Sequence, residues 1–118
     1  MSKDRVTEIL NALKAIRGVH GAAIIERFGL IKGSALPGWI DEESVAAMVT
    51  LILKASQRAS KELEQGIFDD AIIESKKGRI LFDDIKENII VVISSREAKL
   101  GIVKLKLNAA VRELEKLL

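Results

Sequence analysis

The sequence predicts an α/β sandwich, one domain over residues 1–118, in which three helices cover a five-stranded antiparallel sheet. Three observations lead there. Three segments repeat apolar residues every three or four places, as helices with one buried side do. Five short apolar segments are joined by short polar turns, as antiparallel strands are. Two of those strands, Ala22–Ile25 and Ile89–Ile93, are apolar at both parities, which requires cover on both faces of the sheet.

The first helix spans about Asp4 to Arg17, where Val6, Ile9, Leu10, Leu13 and Ile16 share one side and Gly18 supplies the stop. A strand from His20 to Glu26 follows, then the turn Arg27-Phe28-Gly29 and a second strand from Leu30 to Ala35; so short a connection makes an antiparallel hairpin. Pro37-Gly38 breaks the chain. Asp41 then caps a long helix running to about Glu64, with Glu42 and Glu43 in the first turn, where the helix dipole favours acids. That helix is apolar on more than one side: Val45, Met48, Val49 and Ile52 form one stripe, and Ala47, Leu51 and Ala55 lie beside it. Three strands complete the sheet, at about Ile67–Ser75, Arg79–Ile85 and Asn88–Ser94, joined through Lys76-Lys77-Gly78 and Lys86-Glu87 as a meander. From Ala98 onward Leu100, Val103, Leu107, Ala110, Leu114 and Leu117 define the last helix.

The two strands that are apolar on both faces belong at the centre, so hairpin and meander join through them and the spatial order becomes 2-1-5-4-3. Strand 2 carries Lys32 and Gly33, which discourage further pairing, whereas strand 3 presents Ala71, Ile72 and Ile73 with no proline or lysine among them. Strand 3 is therefore expected to pair with a second copy of itself, making one ten-stranded sheet. The same two-fold sets the middle helices side by side, where the small residues Ala55, Ser56, Ala59 and Ser60 permit close approach and Leu51 gains a reason to be apolar.

Composition narrows the chemistry. There are no cysteines, which removes disulfides, thiolate metal sites and cysteine nucleophiles and fits a reducing, cytoplasmic setting. Lysine and arginine total 19 against 17 acids, with no long block of one sign, and aromatic residues make up 3%; a nucleic-acid surface is not expected. The longest apolar run, Val45–Leu53, is too short to span a bilayer. His20 is the only histidine, so histidine triads and multi-histidine metal sites are excluded. Asp69-Asp70 and Asp83-Asp84 look like paired carboxylates, but neighbours along a strand point to opposite faces, and neither pair is expected to converge. No phosphate-binding glycine loop occurs, since Gly18 and Gly21 precede a strand and Ile31-Lys32-Gly33-Ser34 echoes only the end of one. Arg27, Arg58, Arg79 and Arg96 read as solvated charge, and Trp39 first as packing over the start of the middle helix, second as a partner contact. No catalytic residue, cofactor or metal is assigned. The chain reads as a protein that acts by binding.

The stretch Ile16-Arg17-Gly18-Val19-His20-Gly21-Ala22-Ala23-Ile24-Ile25-Glu26-Arg27-Phe28-Gly29-Leu30 resembles the opening of Roadblock/LC7 domains, in which a first helix leads through a Gly-Val-x-Gly step into a hairpin. Asp41-Glu42-Glu43-Ser44-Val45-Ala46-Ala47-Met48 and Ala98-Lys99-Leu100-Gly101-Ile102-Val103-Lys104 agree at the second and third helices, so the resemblance runs from about Arg5 to Leu117. The departure is the turn, Glu26-Arg27-Phe28-Gly29, where an Asp and a small polar turn are common in the family. The resemblance implies a profilin-like sandwich with one helix on one face and two on the other, a homodimer, and a small Ras-like GTPase as partner. On that basis Ala71, Ile72, Ile73, Leu51, Ala55 and Ala59 are the expected dimer contacts, and Lys54, Arg58 and Lys61, with Trp39 at the rim, the expected partner surface. Other members of the family imply a different role, as structural adaptors of the dynein light chain kind. A small-molecule sensor on a related fold is the third reading, disfavoured by an aliphatic core without inward polar groups.

Overall fold

The computed structural model describes residues 2–118. Its elements follow the expected order: α1 (Ser2–Lys14), β1 (Val19–Glu26), β2 (Ile31–Ala35), α2 (Glu42–Glu62), β3 (Asp70–Glu74), β4 (Gly78–Ile85), β5 (Asn88–Ser95) and α3 (Leu100–Leu117). All strand pairs are antiparallel and the spatial order is β2-β1-β5-β4-β3.

Alternation along the central strands divides the interior into two layers. Ala22, Ile24, Ile90 and Val92 point toward α1 and α3, where they meet Val6, Leu10, Leu13, Val103, Leu107 and Leu114. Ala23, Ile25, Ile89 and Val91 point the other way, toward Ala46, Val49 and Leu53 of α2 and the rings of Phe68 and Phe82. One helix thus covers one face and two cover the other. Each fully buried aliphatic side chain contributes about 1.5–3 kcal/mol, so two-sided burial is why β1 and β5 hold the middle.

Boundaries shift where tertiary contacts override local pattern. α1 ends at Lys14, before the expected Arg17, because the backbone tightens there, Ile16 N donating to Leu13 O at 3.1 Å and Val19 N to Ile16 O at 2.9 Å. Gly18, at φ +89°, is needed as glycine: a Cβ there would lie 2.7 Å from that of Ala98. β3 begins at Asp70 instead of Ile67, since the chain leaves α2 through Glu64 and Gly66 at positive φ, then drops Phe68 into the α2-side core while Ile67 stays in solvent. α3 begins at Leu100, after Ala98 is buried against Gly18. Asp41 caps α2 as expected, its Oδ2 accepting from Ser44 N at 3.0 Å and Ser44 Oγ at 2.7 Å.

Candidate functional site

β3 stands at the end of the sheet with β4 its sole partner strand, in unbroken register from Asp70 opposite Asp83 to Glu74 opposite Arg79. Ala71 and Ile73 lean toward the α2 layer and Ile72 toward the α1 and α3 layer; all three are half-buried. The strand's outer edge offers backbone groups without a neighbouring strand, a template for another chain.

α2 supplies the second component. Its inner side buries Ala46, Val49 and Leu53, with Val45 and Ile52 half-buried beside them. The expected stripe therefore splits: Met48 does not share the buried side with Val45, Val49 and Ile52 but is 58% exposed, because position 48 lies about 100° around the helix from 49. Ala47, Leu51 at 71% exposure, Ala55 and Ala59 are in solvent with it. Ser56 and Ser60 are half-buried in the helical row that continues Val49 and Leu53, so of the four small residues expected to face a copy, only Ala55 and Ala59 are on the outside. Lys54, Arg58 and Lys61 border this apolar strip and are exposed; Arg58 is ion-paired to Glu62 at 2.8 Å.

Trp39 does not pack as first expected. It is 70% exposed, and its ring meets His20 edge-on at 5.3 Å between centroids, at the start of β1. Three of the four arginines also differ from solvated charge. Arg79 is largely buried and ties the start of β4 to the β5–α3 loop, donating to Glu74 Oε1 at 2.8 Å and to the carbonyls of Arg96 and Ala98. Arg96 donates to Ser75 O at 3.1 Å. Arg27 spans the sheet end, 3.8 Å from Asp84, and donates to Lys86 O at 3.1 Å.

Neither acidic dipeptide converges within itself, but one residue of each meets the other across the strands. Asp70 stands directly opposite Asp83, and Asp84 N donates to Asp69 O at 2.9 Å. Asp70 and Asp83 share a cavity of about 150 Å³ with Ile72, Leu81, Lys104, Leu107 and Asn108. Burial, and then the neighbouring Asp70 carboxylate, push the Asp83 carboxyl up to about 6, with Lys104 opposing them. Burial also raises Asp84, against the pull of Arg27. The pairing is not visible between neighbours along either strand and needs the register of the β3–β4 hairpin. Counting outward from the two-residue turn Lys76-Lys77, closed by Ser75 N donating to Gly78 O at 2.9 Å, sets 74 against 79 and hence 70 against 83. Asp83 can hold its proton up to about pH 6, but the cavity is small against the 300–1,000 Å³ usual for ligand sites. Among the described residues, no cluster of three or more histidine and acidic side chains is placed to hold a metal, and no helix is long and apolar enough to cross a membrane.

A sandwich of this layout, with one open edge strand and bulky apolar side chains in solvent on α2, is an α/β domain of the profilin-like class. The particular kind follows from comparison with known proteins: the Roadblock/LC7 domain model matches residues 5–95, and the chain belongs to that family. It is 30% identical over 105 residues to uncharacterized protein MJ0310 of Methanocaldococcus jannaschii, spanning 89% of this chain and 92% of the relative. Among solved structures it resembles Myxococcus xanthus MglB, with a TM-score of 0.91 at 21% identity over 97% of this chain and 87% of that one. It also resembles a Roadblock/LC7 domain from Streptomyces avermitilis, with a TM-score of 0.86 at 13% identity over 93% and 94%.

Proposed function

We propose that the chain is a non-enzymatic homodimeric platform that binds a small Ras-like GTPase and biases its nucleotide cycle. The observations that carry the dimer are the open outer edge of β3 and an apolar strip on α2, Met48, Leu51 and Ala55, that none of the described residues covers. Pairing β3 with a second copy satisfies the edge. It also sets the two α2 helices against one another through Leu51, Ala55 and Ala59. Family membership supports the choice of partner, and a paired-helix surface bordered by Lys54, Arg58 and Lys61, with Trp39 at its rim, is where the GTPase docks. Any effect on hydrolysis comes from positioning the GTPase's own groups through preferential binding of one switch conformation. Arg27, Arg79 and Arg96 are held by internal bonds, and Arg58 is engaged with Glu62.

The test is capture on the immobilised protein from the native organism's extract, with GDP or a non-hydrolysable GTP analogue added. A GTPase retained in one nucleotide state and lost from a Lys54, Arg58 and Lys61 triple alanine variant of unchanged oligomeric mass is expected. Failure to retain any GTPase, or retention indifferent to nucleotide, contradicts the proposal.

A further inference from the structure

The opposite face of the molecule carries a second feature, independent of the dimer and of any GTPase. α1 and α3 lie side by side over the sheet, joined by the ion pair of Arg5 with Glu113, but their outer surfaces leave a groove. Three cavities, of about 700, 210 and 620 Å³, run end to end along it: the first two share Arg5, Ala109 and Glu113, and the last two share Ile16 and Lys106. The floor is apolar and low, with Ile9, Ala12 and Ile16 from α1 and Ala109 from α3. On α3 Ile102 also lines the groove, and Leu105, 68% exposed, lies between Ile102 and Ala109 at three and four residues from them.

The rim has one prevailing sign. Arg17, Lys99 and Lys106 line one end, and Arg112 and Lys116 the other. With Arg5 counted, six basic side chains line the groove against three acids, Glu8, Glu97 and Glu113, two of which pair with Arg5. This excess is local, because the whole chain is only +2. Alanine on both walls lets a third helix approach to about the 8–10 Å axial separation of packed helices.

We infer that the α1–α3 groove receives an amphipathic helix of a partner protein, apolar along one stripe and acidic on its flanks. A bilayer suits the site less well: the apolar floor is recessed, no aromatic side chain lines it, and Glu97 stands at the end beside Arg17 and Lys99. Nucleic acid is disfavoured for the same reasons, since an alanine and isoleucine floor offers nothing for a base to stack on. Helix docking here would leave the β3 edge and the outer strip of α2 free, so one dimer could join two different partners.

The probe is a hydrocarbon-stapled peptide of about sixteen residues, roughly 24 Å of helix, with leucine on one stripe and glutamate on its flanks; a matched peptide carries lysine for glutamate. Titrated into the isotope-labelled full chain, the glutamate peptide is expected to give saturable amide shifts confined to the region of Ala12, Ile16, Ile102 and Ala109. The lysine peptide should bind at least about tenfold more weakly, a difference of about 1.4 kcal/mol. Lys106→Glu with Arg112→Glu, both at exposed positions, should abolish the preference while leaving the thermal midpoint unchanged. Shifts on α2 instead, equal affinity for the two peptides, or no saturable binding overturn the inference. So does sedimentation with phosphatidylglycerol vesicles that the double variant loses, which would make the groove a membrane surface.

Discussion

β2 and β3 are both five residues long and both close the sheet, one at each end. β2 is a guarded edge. Its pairing with β1 slips between Ile24 and Ile25, Lys32 projects into solvent, and α1 sits so close over it that a Cβ on Gly33 would come within 3.2 Å of Leu10 and 3.3 Å of Val6. β3 has no bulge, lysine, proline or glycine, and its register to β4 is regular throughout. The sheet thus protects one edge and leaves the other flat, and a flat, unguarded edge is a template for pairing. The two faces of α2 repeat the contrast, with Val49 and Leu53 inside and Met48 and Leu51 outside.

Making β3 resemble β2 is the strongest way to break that contrast. Ile72→Lys, which gives β3 a lysine as β2 has in Lys32, is expected to give a folded monomer, and Ile72→Pro a monomer or insoluble protein. Light scattering with circular dichroism reads both, and a folded dimer for either variant removes the distinction between the edges. The reverse experiment acts on β2. Gly33→Val forces a branched side chain against Leu10 and Val6 and should cost about 1–3 kcal/mol in urea unfolding without changing oligomeric mass.

A smaller effect is expected at the start of α2. Asp41→Ala removes the acceptor of two hydrogen bonds from Ser44 and should cost about 1 kcal/mol. The smallest lies behind β3, at Asp83. Its carboxyl is raised from 3.8 to about 6 in the folded protein, so the native state binds the proton more tightly than the unfolded chain does. Stability therefore falls as pH rises from about 4 to 6, and the full penalty stands above that range. Asp83→Asn should stabilise the protein by up to about 1 kcal/mol at pH 7.5, after discount for solvent screening at a half-buried site, and by almost nothing at pH 3.5. A gain of equal size at both values would contradict the assignment.

Much of the fold was legible because its determinants are local. Alternation and its absence separate Ala22–Ile25 and Ile89–Ile93 from the outer strands, and that difference alone orders the sheet. What escaped depends on segments distant in sequence. Phe68 reads as strand by composition, yet it leaves the sheet to fill a space beside Phe82 and Leu53 that exists only once α2 has crossed over. Met48 and Val49 are equally apolar in sequence, and only the angle at which the helix settles sends one inward. Arg79 looks like a turn residue until the loop before α3 brings two carbonyls to it. The α1–α3 groove was invisible for the same reason: its walls come from opposite ends of the chain.

The claim on which the rest depends is that the open β3 edge and the outer side of α2 are covered by a second copy. Multi-angle light scattering of the unmodified protein at micromolar concentration tests it most directly. The account predicts a particle of twice the 13.0 kDa chain mass, and a stable particle of a single chain would contradict it.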